Sequence, residues 1–265
     1  MGLRVLHVWN TAGVASVVAK FCDRQFGIKS TVITRRAADK VGLTTYGTAY
    51  GDGPARFFAR ALLMARSADI VHVHSLDRIL PWLRRLYEGK PLVIHYHGTD
   101  IEGRWKEKEN RWKAADAIVC STPNLLEGAP SSAVQIPNPV DTDIFRPSGV
   151  DRHPASALSF RYGMDLEAGQ AAERLGLNLT WIDRWSVQHD KMPETLSRFS
   201  YFIDLRRPPG HQEARSVGKA ALEALACGCR VIVWSGKTLE GLPDENRPEN
   251  VATKWHELYQ SLVKS

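Results

Sequence analysis

The strongest restriction on this chain is an alternation that begins almost at its first residue. Short runs of apolar and β-branched residues recur, each followed by a stretch with helical spacing. Strand candidates are RVLHVWN (4–10), KSTVITR (29–35), ADIVHVHS (68–75), PLVIHYH (91–97), ADAIVCST (115–122) and AVQIPN (133–138). Helix candidates lie between them at 14–26, 54–66, 78–87 and 104–113. Strands apolar along their whole length are buried on both faces, as in a parallel sheet with helices on either side. In such sheets ligands bind beyond the carboxyl ends of the strands.

The alternation stops at IPNPVDTDIFRPSGVDRHPAS (136–156), which holds four prolines and has neither period. It then resumes with strand 157–161, helix 165–175, strand 178–183, helix 192–198, strand 200–205, helix 216–227 and strand 230–234, and an amphipathic helix follows at 249–263. The expected fold is α/β, with two Rossmann-like domains facing a cleft and the second one small. The expected boundaries are a first domain at 1–140, a connection at 141–156, a second domain at 157–248, and a C-terminal helix at 249–265 packing back on the first domain. A length of 265 residues suits two small domains.

Hydrophobic residues make up 43% and charged residues 24%, which excludes a disordered chain. The formal net charge of +6 favours an anionic partner: a phosphate, a nucleotide or a lipid surface. Cys22, Cys120, Cys227 and Cys229 sit in apolar surroundings and read as buried thiols, not as a disulfide or metal framework. No signal peptide and no apolar run of membrane-spanning length is read, so the expected compartment is the cytoplasm.

PLVIHYHGTDI (91–101) concentrates chemistry at one strand end. His97, Gly98 and Thr99 fall at the carboxyl edge of a central strand, Gly98 lets a ligand approach the backbone, and Asp100 can cap the next segment. On spacing alone, a satisfied histidine in an ordinary turn fits equally well. In SVGKAALEAL, the first helical turn of Ser216, Val217 and Gly218 offers amides to an anion. Gly13 in NTAGVASVVAK opens the first helix in the same way. Glu223 lies among apolar neighbours, so it reads either as a liganding carboxylate or as a solvated helix residue. DTD (141–143) resembles a metal-binding Asp-x-Asp but lies in the proline-rich stretch. His72, His74, His95 and His97 pair on the faces of two strands. No convergent set of three ligands follows from that pattern, and no metal is expected.

Taken together, HYHGTDI, ADIVHVHS, ADAIVCSTPNLLE and IPNPVDTDIFRP resemble the amino-terminal half of the family 4 glycosyltransferases, which have the GT-B fold. MPETLSRFSYFIDL, SVGKAALEALACGCRVIV and ENVATKWHELYQSL resemble the carboxyl-terminal half in the same order, so the likeness runs over 4–263. It implies a retaining transferase that moves a sugar from a nucleotide-sugar co-substrate, with no other cofactor. It also implies residue roles. His97 contacts the transferred sugar, Arg161 grips the diphosphate, and Glu223 receives the ribose hydroxyls. Gly13, Ser216, Val217 and Gly218 border the diphosphate.

The chain departs from the family pattern at several points. Arg215 stands where the earlier of two family glutamates is expected, with Glu213 two residues away. Leu166 and Glu167 stand where a lysine is expected, and the second domain is short of one strand–helix unit. Arg206, Arg207, Arg215 and Lys219 crowd the loop expected to face the phosphates, or form a solvated basic loop. Two other readings remain open: a catalytically weakened subunit that holds a nucleotide sugar or a partner enzyme, and an epimerase of the same fold. The acceptor is unidentified, lipid-linked or glycan, and no nucleic acid is expected. ARFFARALLMAR (55–66) and PWLRRLYEGK (81–90) suggest a peripheral membrane contact, or else simply pack Phe57, Leu62 and Leu83 on the sheet.

Overall fold

The computed structural model describes residues 2–161, 165–183, 185–205 and 217–264. The chain forms two compact units, Met1–Pro139 with Pro248–Ser265, and Val140–Arg247. The first unit carries strands β1 (Arg4–Val8), β2 (Lys29–Arg35), β3 (Thr48–Tyr50), β4 (Ile70–His74), β5 (Leu92–Tyr96), β6 (Ala117–Cys120) and β7 (Val134–Gln135). Its helices are α1 (Val14–Phe26), α2 (Pro54–Ala65), α3 (Leu80–Leu86) and the single turn α4 (Glu109–Trp112). The strands form one parallel seven-stranded sheet in the order β3-β2-β1-β4-β5-β6-β7. Every residue of β4 and β5 is buried, as their unbroken apolar runs require. The strand order reverses between β1 and β4, which makes that carboxyl edge the topological switch point.

Two features of this unit differ from expectation. The short edge strand β3, half-exposed, carries too little apolar pattern to be seen in sequence. Most of 104–113 is turn, because both indole N–H groups there are tied to backbone: Trp105 Nε1 donates to Leu125 O at 2.9 Å and Trp112 Nε1 to Trp105 O at 2.8 Å.

The second unit holds β8 (His153–Arg161), β9 (Asn178–Asp183), β10 (Phe199–Asp204), β11 (Arg230–Val233) and β12 (Thr238–Leu239), with α5 (Asp165–Arg174), α6 (Met192–Ser197) and α7 (Lys219–Ala226). The sheet order is β12-β11-β10-β8-β9, parallel except at β12. Its switch point lies between β8 and β10. The expected connection at 141–156 is instead part of this unit. Val140 and Phe145 are buried in its core, and β8 starts at His153, which pairs with Phe199. Proline breaks the hydrophobic period there without preventing pairing, because the register shifts by a bulge between Phe199 and Tyr201.

Helix α8 (Pro248–Lys264) belongs to the first unit. It starts on a proline, whose missing N–H no helix needs at that position. Val251, Ala252, Trp255 and Tyr259 pack on Val14, Val18 and Phe21 of α1 and on the sheet beneath.

Candidate functional site

Three neighbouring strands of the first unit end in backbone that side chains rarely adopt. Trp9 after β1 has φ 77°, Ser75 after β4 has φ 59°, and Gly98 just beyond β5 has φ 156°. A bulky residue such as tryptophan at positive φ is a true outlier, costing about 1–3 kcal/mol, and such strain gathers at functional edges. The strained residues surround the switch point. Thr11 Oγ1 donates to Ser75 Oγ at 2.8 Å, joining the loop after β1 to the loop after β4. Asn10, absent from the sequence-based candidates, binds this edge together. Its Nδ2 donates to Ser16 Oγ at 2.9 Å and to Thr44 Oγ1 at 3.1 Å, while its Oδ1 accepts from Ser16 N at 3.2 Å. Nothing in local spacing marks it, since its partners arrive from 33 to 34 residues away as well as from the next helix.

Gly13 caps α1 in the left-handed region at φ 76°, and a Cβ there would stand 3.2 Å from Leu43 O. Both conformation and crowding therefore call for glycine. Gly98 is different. An added Cβ would meet nothing within 4 Å, so the peptide there is open on that side. Asp100 does not cap the next segment as expected: its carboxylate accepts from Gly98 N at 2.7 Å and from His97 N at 3.0 Å, the two residues just past β5.

His97 sits half-buried past the end of β5. Its Nε2 lies 3.2 Å from Nδ1 of His74, and Nε2 of His74 lies 3.2 Å from Nδ1 of His7. His72 Nδ1 meets the Tyr259 hydroxyl at 2.7 Å. The register explains the cluster: His7 pairs with His72 across β1 and β4, and His74 with His95 across β4 and β5. Alternation then places all five imidazoles on one face, under Trp255 and Tyr259. The expectation that no three histidines converge is corrected here. His7, His72 and His74, and likewise His74, His95 and His97, present ligand atoms within 4.8 Å of one another. His7 escaped the sequence reading because β1 and β4 become neighbours only through the crossover. Burial pushes His7 down to about 3. Burial also lowers His97 to about 4, against upward pulls from Asp100 and Asn138. His72, His74 and His95 are driven well below the ordinary histidine range, by burial first and then by neighbouring imidazoles that include His7 and His97.

In the second unit, Arg161 ends β8 beside its switch point, exposed, 3.7 Å from Asp183 Oδ1 and 5.9 Å from the Trp181 ring centre. With Trp181 and the Asp165–Glu173 face of α5 it lines a pocket of about 410 Å³. Glu223 is buried on α7, and its Oε1 lies 2.5 Å from Lys219 Nζ and 3.7 Å from His189 Nε2. Burial alone would raise this carboxyl, but Lys219 and then His189 hold it below the ordinary glutamate value. Lys219, expected in the phosphate-facing loop, is therefore engaged by Glu223. The predicted helix start is also corrected. Gly218, with φ −65° and ψ 153°, caps α7, so Val217 and Gly218 precede the helix and its unpaired first-turn amides begin at Lys219. Residues 206–216, with Arg206, Arg207, Glu213, Arg215 and Ser216, lie outside the described residues. Among the described residues Arg161 and Glu223 share no partner: Arg161 meets Asp183 and Trp181, and Glu223 meets Lys219 and His189.

Residues 13–144 match the pattern of Glycosyltransferase Family 4. A GDP-mannose:cellobiosyl-diphosphopolyprenol alpha-mannosyltransferase of Xanthomonas campestris is 26% identical over 186 residues, covering 68% of this chain and 46% of that protein. This chain thus matches less than half of that relative's length. Among solved structures, AviGT4, a glycosyltransferase involved in Avilamycin A biosynthesis, has a TM-score of 0.66 at 12% identity, covering 99% of this chain and 98% of its own. An alpha-glucosyltransferase in complex with UDP gives 0.63 at 12% identity, covering 100% of this chain and 92% of its own. The matched segment makes the chain a member of the family 4 glycosyltransferases, and its two α/β units and these neighbours give it the GT-B fold.

Proposed function

We propose that the chain transfers a sugar from a nucleoside-diphosphate sugar to a lipid-linked acceptor, with retention of anomeric configuration. The observation that carries this reading is the carboxyl edge of β1, β4 and β5, with Trp9 and Ser75 strained beside the switch point, and with β4 and β5 inside the family-matched segment. The second unit holds the nucleotide, with Glu223 accepting the ribose hydroxyls and Arg161 and Arg215 beside the diphosphate. His97 contacts the transferred sugar through its ring edge or its carbonyl. The bond from the anomeric carbon to phosphate breaks as the acceptor oxygen bonds on the same face, and the acceptor proton passes to the leaving phosphate oxygen. No step of this reading uses a metal ion. Cations and amides aimed at the leaving phosphate supply the stabilisation, each worth about 10²–10³ in rate.

A panel of nucleotide sugars tests the reading. The matching donor, at 100 times its Kd, raises stability by about 2.7 kcal/mol and is slowly hydrolysed. His97→Ala lowers transfer by about 10²-fold with nucleotide affinity kept. Glu223→Ala weakens every nucleotide sugar and the free nucleoside diphosphate. Arg215→Ala weakens the diphosphate and leaves the nucleoside alone, and Arg215→Glu asks whether the usual family glutamate restores binding. Unchanged calorimetric affinity in both alanine variants removes this donor site. An inverted product anomer by NMR removes retention.

The lipid-linked acceptor rests on a surface of the first unit. Phe57 and Leu83 pack inward as expected of amphipathic helices, but Leu63, Trp82 and Leu86 of α2 and α3 are more than half exposed. The Phe58 and Trp82 rings join the two helices edge to face at 6.3 Å. Exposed Arg66, Arg78 and Arg85 lie on or beside the same helices. Apolar side chains with arginines nearby suit an anionic bilayer surface. Among the described residues no helix is long and apolar enough to cross a membrane. The relative from Xanthomonas campestris is named for a diphosphopolyprenol acceptor, which agrees with this reading. Co-sedimentation with liposomes rises with anionic lipid content and falls in Trp82→Ser/Leu86→Ser. Sedimentation indifferent to lipid charge and to these substitutions dismisses the surface.

A further inference from the structure

We infer that His74, His95 and His97 form a binding site for a divalent transition-metal ion, with zinc the best fit. One nitrogen from each lies within 4.8 Å of the other two. The 3.2 Å from His74 Nδ1 to His97 Nε2 matches the edge of a tetrahedron of nitrogens around zinc, about 3.3 Å for Zn–N bonds of 2.0–2.1 Å.

His95 distinguishes an ion from a mere chain of hydrogen bonds. Such a chain gives His7, His74 and His97 at least one ring partner each and leaves His95 with none. His95 is wholly buried, and both of its ring nitrogens lack a hydrogen-bond partner. Buried polar atoms are rarely idle, and a neutral imidazole with a free lone pair beside two others is what a metal ligand requires. The surroundings also fit. With Nδ1 of His74 on the ion, its Nε2–H donates to His7 Nδ1 at 3.2 Å, the outer hydrogen bond that orients a ligating histidine. Burial keeps the rings neutral, the form that binds metal.

His7, His72 and His74 converge as well, but all three are fully buried and His72 Nδ1 is taken by Tyr259. The outer set includes half-buried His97 at the strand end, which gives an ion a way in and leaves a fourth position for water. The site shares His97 with the donor reading, in which the sugar meets the His97 carbonyl while its ring holds the ion, and the ion is assigned no part in the transfer step.

Full-length protein stripped with a chelator is titrated with zinc by calorimetry, and with cobalt(II) by visible absorption, where a tetrahedral site gives intense bands. One equivalent binds. His97→Gln and His95→Gln each weaken binding by more than about 100-fold, whereas His72→Gln, outside the set, leaves it unchanged. Because His97 is at the edge, its variant folds normally, as far-UV circular dichroism verifies, so the result does not depend on the buried position. Absence of zinc binding in the unmodified protein overturns the inference. So does binding that is lost in His72→Gln and kept in His97→Gln, which moves the ion to the inner set.

Discussion

Acidifying the metal-stripped protein from pH 7 to pH 5 unfolds the first unit. His7 and His97 are held down to about 3 and about 4, and His72, His74 and His95 well below the ordinary range, all chiefly by burial. In the unfolded chain the same side chains titrate near 6.5. Below that pH the unfolded state binds more protons than the folded state, so stability present above about pH 6.5 is lost as pH falls toward the folded values. At pH 5 His7 and His97 each favour the unfolded chain by about 2 kcal/mol, and His72, His74 and His95 act in the same direction. Set against the about 5–15 kcal/mol that holds a whole domain together, that is a large share. Far-UV circular dichroism against pH should show a cooperative loss with a midpoint of about 5–6. A first unit still native at pH 4 refutes the idea that these rings are buried and neutral.

Trp255→Ala destabilises the first unit by about 3–5 kcal/mol, the range for removing a large buried aromatic. Trp255 is fully buried on α8, with its ring centre 4.3 Å from that of His72, 5.0 Å from that of His95 and 5.6 Å from that of Tyr259. It is the lid over the histidine face, so its loss leaves a cavity and also lets water reach the imidazoles. The urea midpoint followed by circular dichroism falls by about 1–3 M. Tyr259→Phe, which removes only the hydroxyl 2.7 Å from His72 Nδ1, costs about 1–2 kcal/mol. A Trp255→Ala midpoint equal to that of the unmodified chain would show that α8 adds nothing to the first unit.

These two expectations depend on contacts between residues far apart in the chain, and that separation marks how much was legible beforehand. PLVIHYH showed a buried strand because five consecutive residues of β5 are enclosed on both faces. Gly13 and Gly98 were legible as strand-to-helix punctuation because only glycine takes their φ easily. Glu223 was legible as a carboxylate in apolar surroundings, and Lys219, one helical turn away, is the partner such a charge requires. The start of α7 was misplaced by a turn because Val217 and Gly218 continue the composition of the helix without its backbone geometry. The stretch after Pro139 was misread because its prolines hide that Val140 and Phe145 are core residues.

By itself the sequence determined the local periods, the strand-end glycines, and the ordered motifs that place the chain in its family. Period and punctuation are properties of neighbouring residues, and they survive without knowing what lies across the sheet. Only the tertiary structure decided that His7 joins His72 and His74, that Asn10 braces the switch point, and that α8 closes over five imidazoles. A crossover connection sets which strands become neighbours. The burial that strips the histidines of their charge exists only once those strands and α8 have packed.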